Sequence, residues 1–225
     1  LNFSHGEHEE HTARAEAVRE IADRLGVQVG ILSDLQGPKI RIENFVDGRV
    51  ELEEGDTFIL DNQLDEDAGT KERVGIAYKE LTNDVKVGDT LLLDDGNIVV
   101  EVTGVNEHEV QTKVLVPGTL SNRKGLNLKG GGLSAAALTD KDKEDLICAS
   151  QFNTDFIAVS FPRSADDIHE ARELLKAAGS NAGIVAKIER TEALENIDEI
   201  IRASDAIMIA RGDLGVEIGD AKLVG

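Results

Sequence analysis

Residues 184–218 read IVAKIERTEALENIDEIIRASDAIMIARGDLGVEI, and the pattern is strand, helix, strand. Ile184-Val185-Ala186 is a short apolar run that stops at Lys187, Glu189 and Arg190. Leu194, Ile197, Ile200 and Ile201 recur at helical spacing, and Ala206–Ala210 is a second apolar run that stops at Arg211-Gly212-Asp213. Two buried parallel strands joined by a helix bring both polar clusters to one end of a sheet, because each cluster follows its strand's C-terminal residue. That end is where α/β barrels and open α/β sheets keep their active sites. Glu189 and Asp213 are hard oxygen ligands suited to Mg²⁺, and Lys187 and Arg211 add the positive charge a phosphate-handling site needs. On spacing alone a plainer alternative stands beside this: two acids ending strands in an acidic protein, with the cations as ordinary ion-pair partners.

The same rhythm appears on both sides. Upstream, Thr139 followed by Asp142 has the form of a helix cap with an acidic first turn. Phe156–Phe161 reads as a strand, and a helix follows over Ala165–Ala178, ended by Gly179. At the start of the chain, Leu1-Asn2-Phe3-Ser4 reads as a strand end. Ala15, Val18, Ala22 and Leu25 mark one helical face, and Val27–Leu32 reads as a buried strand ending in Ser33-Asp34. Strand ends at Asn2–Ser4, Asp34, Ser160, Glu189 and Asp213 give five successive α/β units. This predicts a partial TIM-type (β/α)₈ barrel.

Between Lys39 and Ser134 the character is different. Short β-like runs occur at 39–42, 49–52, 57–60, 91–93, 98–105 and 110–116, with Asp95-Gly96-Asn97 as a hairpin turn. These predict a small all-β barrel or sandwich inserted into the α/β domain. The expected division is therefore barrel over 1–38, β insert over 39–134, and barrel again over 135–225. Lys129-Gly130-Gly131-Gly132 reads as a hinge, since no Ser/Thr and helix follow as a phosphate cradle would require.

Composition narrows the function. A net charge of −20 with 3% aromatic residues argues against nucleic acid as a partner. The lone Cys148 excludes an internal disulfide, fits a reducing compartment such as the cytoplasm, and reads as a core residue beside Leu146 and Ile147. No apolar run has the length of a membrane span. His5, His8 and His11 read as a solvated helix start rather than a metal cluster. The chain opens at Leu1 without an initiator Met, so it reads as a piece of something longer.

LNFSHG at 1–6, DLQGPKIR at 34–41, KGLN at 124–127, AVSFPR at 158–163, KIE at 187–189 and ARGDLG at 210–215 together resemble the pyruvate kinase family, in its order and spacing. The form of residues 121–139 is similar to the bacterial branch. The resemblance implies a barrel domain closed by a mobile β-domain lid, a glycolytic phosphoryl transfer from phosphoenolpyruvate to ADP giving pyruvate and ATP, and a homotetramer. It implies that Glu189 and Asp213 hold Mg²⁺ or Mn²⁺ and that Lys187 stabilises the transferred phosphoryl group. The backbone at Gly212-Asp213 would receive the carboxylate of phosphoenolpyruvate or pyruvate, and Asn2, Phe3, Ser4, His5, Arg41 and Lys124 would bind nucleotide and phosphate. The family's K⁺ site would fall on Asn2, Ser4, Asp34 and the backbone of Leu35. Lys39 stands where many members have Glu, and Leu35 where they have Thr, which implies activity without K⁺. The family's arginine before LNFSHG and its threonine on the following strand lie outside these residues, so the resemblance implies no turnover by them alone. Two other functions remain open on sequence: a Mg²⁺-dependent aldolase or lyase of pyruvate-type substrates, and a non-catalytic ligand-binding product.

Overall fold

The computed structural model describes residues 1–219. In chain order, α1 (His8–Leu25) leads to β1 (Leu32–Asp34). The β-rich segment follows: β2 (Arg49–Leu52), β3 (Thr57–Asp61), β4 (Arg73–Gly75), the single turn α2 (Leu81–Asp84), β5 (Thr90–Leu93), β6 (Ile98–Val105), β7 (Glu109–Val116), β8 (Gly118–Ser121) and β9 (Leu126–Leu128). Then come α3 (Asp140–Gln151), β10 (Phe156–Val159), α4 (Ala165–Ala177), β11 (Gly183–Ile188), α5 (Thr191–Glu195), α6 (Ile197–Ala203), β12 (Ala206–Ile209) and α7 (Arg211–Ile218). The chain divides into two compact units, one of Leu1–Pro38 with Ala136–Arg211, the other of Lys39–Ala135 with the residues from Gly212 onward.

The first unit is a partial α/β barrel. Its sheet is parallel, in the order β1-β10-β11-β12, and Asn2 bridges to Asp34 beyond β1. The register aligns Asp34 with Ala158, Val159 with Ala186, and Ile188 with Ile209. All strand ends therefore face one edge, as the polar residues after each apolar run predict. Ile157, Ala158, Val159, Ile184, Ala186 and Ile188 are buried.

At the opposite edge one device occurs twice. Arg19 Nη2 on α1 donates to Asn153 O (2.9 Å) and to Asp155 Oδ2 (2.8 Å), and that carboxylate accepts the Ile31 amide at 2.6 Å. Arg172 Nη2 on α4 donates to Ala203 O (2.8 Å) and Asp205 Oδ2 (3.0 Å), and that carboxylate accepts the Ile184 amide at 2.7 Å. An Asp before one strand thus satisfies an amide within one residue of the start of the neighbouring strand, and a helix Arg holds the Asp in place.

Four expectations need correction. Val27–Leu32 is not a buried strand. Val27 and Val29 are exposed, and β1 begins only at Leu32, because the Val29 carbonyl is taken by Arg19 and the Ile31 amide by the Asp155 carboxylate instead of by a neighbouring strand. β12 is not buried: it is the last strand in the described order, and Ile207, Met208 and Ile209 are exposed. The predicted helix over Leu194–Ile201 is two short helices that break at Asn196. Arg211–Ile218 is helical, which the sequence reading left out.

The second unit has a six-stranded sheet, β4-β3-β7-β6-β5-β9, and a separate β2-β8 ladder. They enclose one core that includes Ile42, Phe45, Phe58, Leu60, Leu91, Val100, Val110 and Leu120. Strand alternation is plain in β7, where Val110, Thr112 and Val114 are buried and their neighbours are not. Asp94, Asp95 and Gly96 all have positive φ (52°, 55° and 86°) at the β5–β6 turn, as the Asp-Gly-Asn signal predicts. Gly130, Gly131 and Gly132 are likewise left-handed, at φ 87°, 81° and 109°, which requires the glycine run.

The repeated Asp–Arg device has a pH signature. Burial pushes the Asp155 carboxyl up, but the Ile31 amide and Arg19 outweigh it and hold it below the usual range. The Ile184 amide, against a smaller burial effect and with help from Arg172, holds Asp205 down in the same way. A depressed folded value stabilises above the unfolded value of about 3.9 and is lost as pH falls through the folded one. The denaturation midpoint will therefore drop more steeply between about pH 4 and pH 2 in the wild type than in an Asp155→Asn/Asp205→Asn variant. Equal slopes would remove this role.

Candidate active site

Lys187 is the penultimate residue of β11, with its side chain 14% exposed. Its ammonium is 3.0 Å from Asp34 Oδ1 and 3.2 Å from Glu189 Oε1, and it donates to Ser160 Oγ at 2.9 Å. Three neighbouring strands supply these groups: Asp34 ends β1, Ser160 follows β10, and Glu189 follows β11. Burial pushes the Lys187 ammonium down, but Glu189 and Asp34 outweigh it and raise it above the ordinary lysine value. It is therefore charged at neutral pH.

The carboxylates are fixed by backbone. Glu189 is 2% exposed, and its Oε2 accepts the Phe161 amide at 2.9 Å. Phe161 itself has φ +56°, a costly conformation for a phenylalanine, and it aims that amide at the site. Ser160 Oγ donates to Leu35 O at 2.7 Å and so can accept from Lys187. Gly37 lies against this pair: a Cβ there would meet Ser160 Cβ at 2.7 Å, and its φ is +69°. The Gly37 amide donates to Asp142 Oδ1 (3.0 Å), while Asp142 and Thr139 form the reciprocal cap of α3 that the sequence predicts.

The segment Asn2–His5 sits beside β1. Asn2 Oδ1 accepts the Ser4 amide at 2.9 Å, and the Phe3 amide donates to Asp34 O. The Phe3 side chain is in the core, stacked on His11 with ring centroids 4.2 Å apart, and its carbonyl accepts from Lys141. His5 O accepts from His11 Nε2 at 3.0 Å, so the His11 hydrogen is on Nε2. Burial holds His11 below the usual imidazole value, against the opposing effect of the His5 carbonyl. The solvated reading of the three histidines is thus wrong for His11, which is fully buried, while His8 pairs with Asp145 at 2.7 Å. Cys148 is buried, as expected, and burial raises its thiol.

The second unit holds the other predicted residues. Lys124 Nζ is 2.7 Å from Asp94 Oδ1, and this ammonium holds the Asp94 carboxyl below its ordinary value. Arg41 is exposed and donates to Arg123 O at 2.9 Å. Lys39 Nζ donates to Asp213 Oδ1 at 2.9 Å, in the first turn of α7. Gly212 has open space where a side chain would be.

Glu189 belongs to the first unit and Asp213 to the second. Among the described residues no three His, Cys, Asp or Glu side chains gather as a metal cage. A carboxylate such as Glu189 is a ligand type that fits Mg²⁺, which keeps its waters and takes one or two carboxylates together with substrate phosphate. Sequence reasoning missed Ser160, Asp94 and Asp95 as ion-pair and hydrogen-bond partners. Ser160 carried a visible signal, a polar residue directly after an apolar strand, whereas the two aspartates read only as a turn.

A family model described as "Pyruvate kinase, barrel domain" matches residues 1–225. The chain belongs to the pyruvate kinase family. It is 58% identical over its whole length to a pyruvate kinase of Buchnera aphidicola (subspecies Acyrthosiphon pisum), of which it covers 48%, and 57% identical to that of Haemophilus influenzae, also covering 48%. The chain thus spans about half the length of the curated relatives it matches. A crystal structure of a pyruvate kinase from Cryptosporidium parvum superposes with a TM-score of 0.93 at 35% identity, covering 100% of this chain and 47% of that one. Among the described residues no helix is long and apolar enough to cross a membrane.

Lys187 is the centre of the ion-pair cluster in this pyruvate kinase family member. Lys187→Met removes the ammonium shared by two carboxylates, one of them buried, and lowers stability by about 3 kcal/mol. Lys187→Met/Glu189→Gln recovers part of that loss in chemical denaturation. A single variant as stable as wild type would contradict the ion-pair geometry.

Proposed function

We propose that the protein transfers the phosphoryl group of phosphoenolpyruvate to ADP, forming pyruvate and ATP. One observation carries this reading: a charged, largely buried Lys187 held by Asp34, Ser160 and Glu189 at the C-terminal strand ends. In phosphoryl transfer the protein's task is positioning and charge neutralisation, and a preset ammonium supplies both. In this reading residues 1–38 and 135–225 form the barrel, and residues 39–134 are the lid.

Lys187 stabilises the negative charge on the phosphoryl oxygens as the bond to the enolate oxygen breaks. Glu189 and Asp213 hold Mg²⁺ or Mn²⁺, which when bound neutralises charge on the substrate oxygens. The amides at the head of α7, around Gly212-Asp213, receive the substrate carboxylate, since a helix N-terminus favours an anion. Asn2, Ser4 and His5 present the nucleotide-facing edge, with Phe3 as the buried anchor of that segment. Arg41 and Lys124 hold the nucleotide phosphates, Lys124 exchanging Asp94 for phosphate. The protein acts in the cytoplasm, in glycolysis, as a homotetramer.

K⁺ is not required in this reading. The groups that would bind it have internal partners: Asn2 Oδ1 holds Ser4, Leu35 O holds Ser160, and Asp34 holds Lys187. Lys39 contributes a fixed positive charge instead.

Pyruvate formation from phosphoenolpyruvate and ADP tests the activity. Glu189→Gln is expected to lower kcat by about 10²–10³-fold at saturating Mg²⁺. A loss under tenfold would contradict the role given to Glu189. Replacing choline chloride by KCl at equal ionic strength should leave the rate within about twofold, and strong stimulation by KCl would overturn K⁺ independence.

A further inference from the structure

The segment Asn2–His5 is held by two donors from two different helices. On α1, His11 Nε2 donates to His5 O at 3.0 Å, and the ring stacks on Phe3 with 4.2 Å between centroids. On α3, Lys141 Nζ donates to Phe3 O at 2.9 Å. The same ammonium bonds Asp145 Oδ2 at 2.5 Å, and Asp145, with its side chain 1% exposed, pairs with His8 Nε2 through its other oxygen at 2.7 Å. Both carbonyls are thus drawn toward the helices, while the Asn2 and His5 side chains stay exposed. Gly6, at φ +86°, turns the chain from this segment into α1, and a Cβ there would meet Glu10 Oε2 at 2.7 Å. His11 is fully buried, and its Nδ1 has no hydrogen-bond partner among the described residues. A buried imidazole with one nitrogen bonded and the other idle costs stability that a leucine would not. What the ring supplies that an apolar residue lacks is the donor to His5.

We propose that His11 and Lys141 are positioning residues for nucleotide binding, which fix the Asn2–His5 segment through the carbonyls of His5 and Phe3. This rests on the reading of that segment as the nucleotide-facing edge. A segment ordered in advance does not lose its conformational freedom when the ligand arrives. The clamp therefore lowers KM for ADP and leaves KM for phosphoenolpyruvate unchanged, since the phosphoryl donor is held at Lys187. Burial keeps His11 below the ordinary imidazole value, against the opposing effect of the His5 carbonyl, so at neutral pH the ring is uncharged with its hydrogen on Nε2.

The test is steady-state kinetics of the full protein, with ADP and phosphoenolpyruvate varied separately and circular dichroism to confirm folding of each variant. A glutamine amide reaches where Nε2 stands and an asparagine amide only as far as Nδ1, so the two variants lose the same ring and differ in the donor. His11→Asn should raise KM for ADP about fivefold, the net worth of about one hydrogen bond, with kcat and KM for phosphoenolpyruvate within about twofold. His11→Gln should bring KM for ADP back to within about twofold of wild type. Lys141→Met, at a side chain 51% exposed, leaves the core intact and should raise KM for ADP about threefold. An unchanged KM for ADP in Lys141→Met, or in a folded His11→Asn, overturns the proposal. So does a His11→Gln as impaired as His11→Asn, or an equal rise in both KM values, which a merely structural role would give. His5→Ala removes an exposed side chain but keeps the carbonyl that His11 holds. If it leaves KM for ADP unchanged, the nucleotide reading of the segment fails and the proposal falls with it. If it raises KM for ADP while Lys141→Met and His11→Asn do not, only the clamp fails.

Discussion

A charged lysine at the end of a parallel sheet, compensated by carboxylates on either side, is the constraint on which the rest of this structure depends. An isolated buried ammonium would lose its proton or unfold its surroundings. Lys187 keeps its charge because β1 and β10 place Asp34 and Ser160 beside it and because Glu189 follows two residues later, just past the end of its own strand. Those neighbours must in turn be held. The Phe161 amide holds Glu189, the Leu35 carbonyl holds Ser160, and the Gly37 amide ties the same loop to the cap of α3. Backbone groups do most of this fixing, which is why loops of unremarkable composition carry a positive-φ phenylalanine and a glycine that tolerates no Cβ.

The two edges of the sheet have separate jobs. The N-terminal edge carries the Asp–Arg device, in which Asp155 and Asp205 close the ladder and anchor α1 and α4. It is a stability edge. The C-terminal edge carries the mutually compensated charges of Lys187, Asp34 and Glu189. Stability held at one edge lets the other tolerate a concentration of charge that contributes little to folding.

Much of this is legible in the sequence, because most elements announce themselves by period. β6 and β2 fall where alternation puts them, and the cap at Thr139 starts α3 as its spacing predicts. The strand ends at Asp34, Glu189 and Asp213 are visible as polar residues after apolar runs. What fails is set by tertiary contacts. Val27 and Val29 look like strand residues, but Arg19 and Asp155, which hold the chain out of the ladder there, lie 10 and 126 positions from Val29 or farther along the chain. The three-residue strands β4 and β9 are too short to show a period. Arg211–Ile218 contains two glycines and a valine, so its helix is not a matter of local propensity. The Lys187–Asp34 contact depends on β10 lying between β1 and β11, a neighbour relation that a long intervening segment hides from any local reading.

The second unit contributes charges of the same kind, each already compensated: Lys124 on Asp94, Lys39 on Asp213. In each unit, then, the cations singled out by the sequence are paired with carboxylates. We propose above all that the Glu189 carboxylate, set beside Lys187, takes the divalent ion that phosphoryl transfer needs. Anomalous diffraction from crystals grown with Mn²⁺ and phosphoenolpyruvate tests this most directly. A manganese peak bonded to Glu189 and to a phosphate oxygen is the predicted result. Manganese bound elsewhere, with Glu189 still paired only to Lys187, would contradict it.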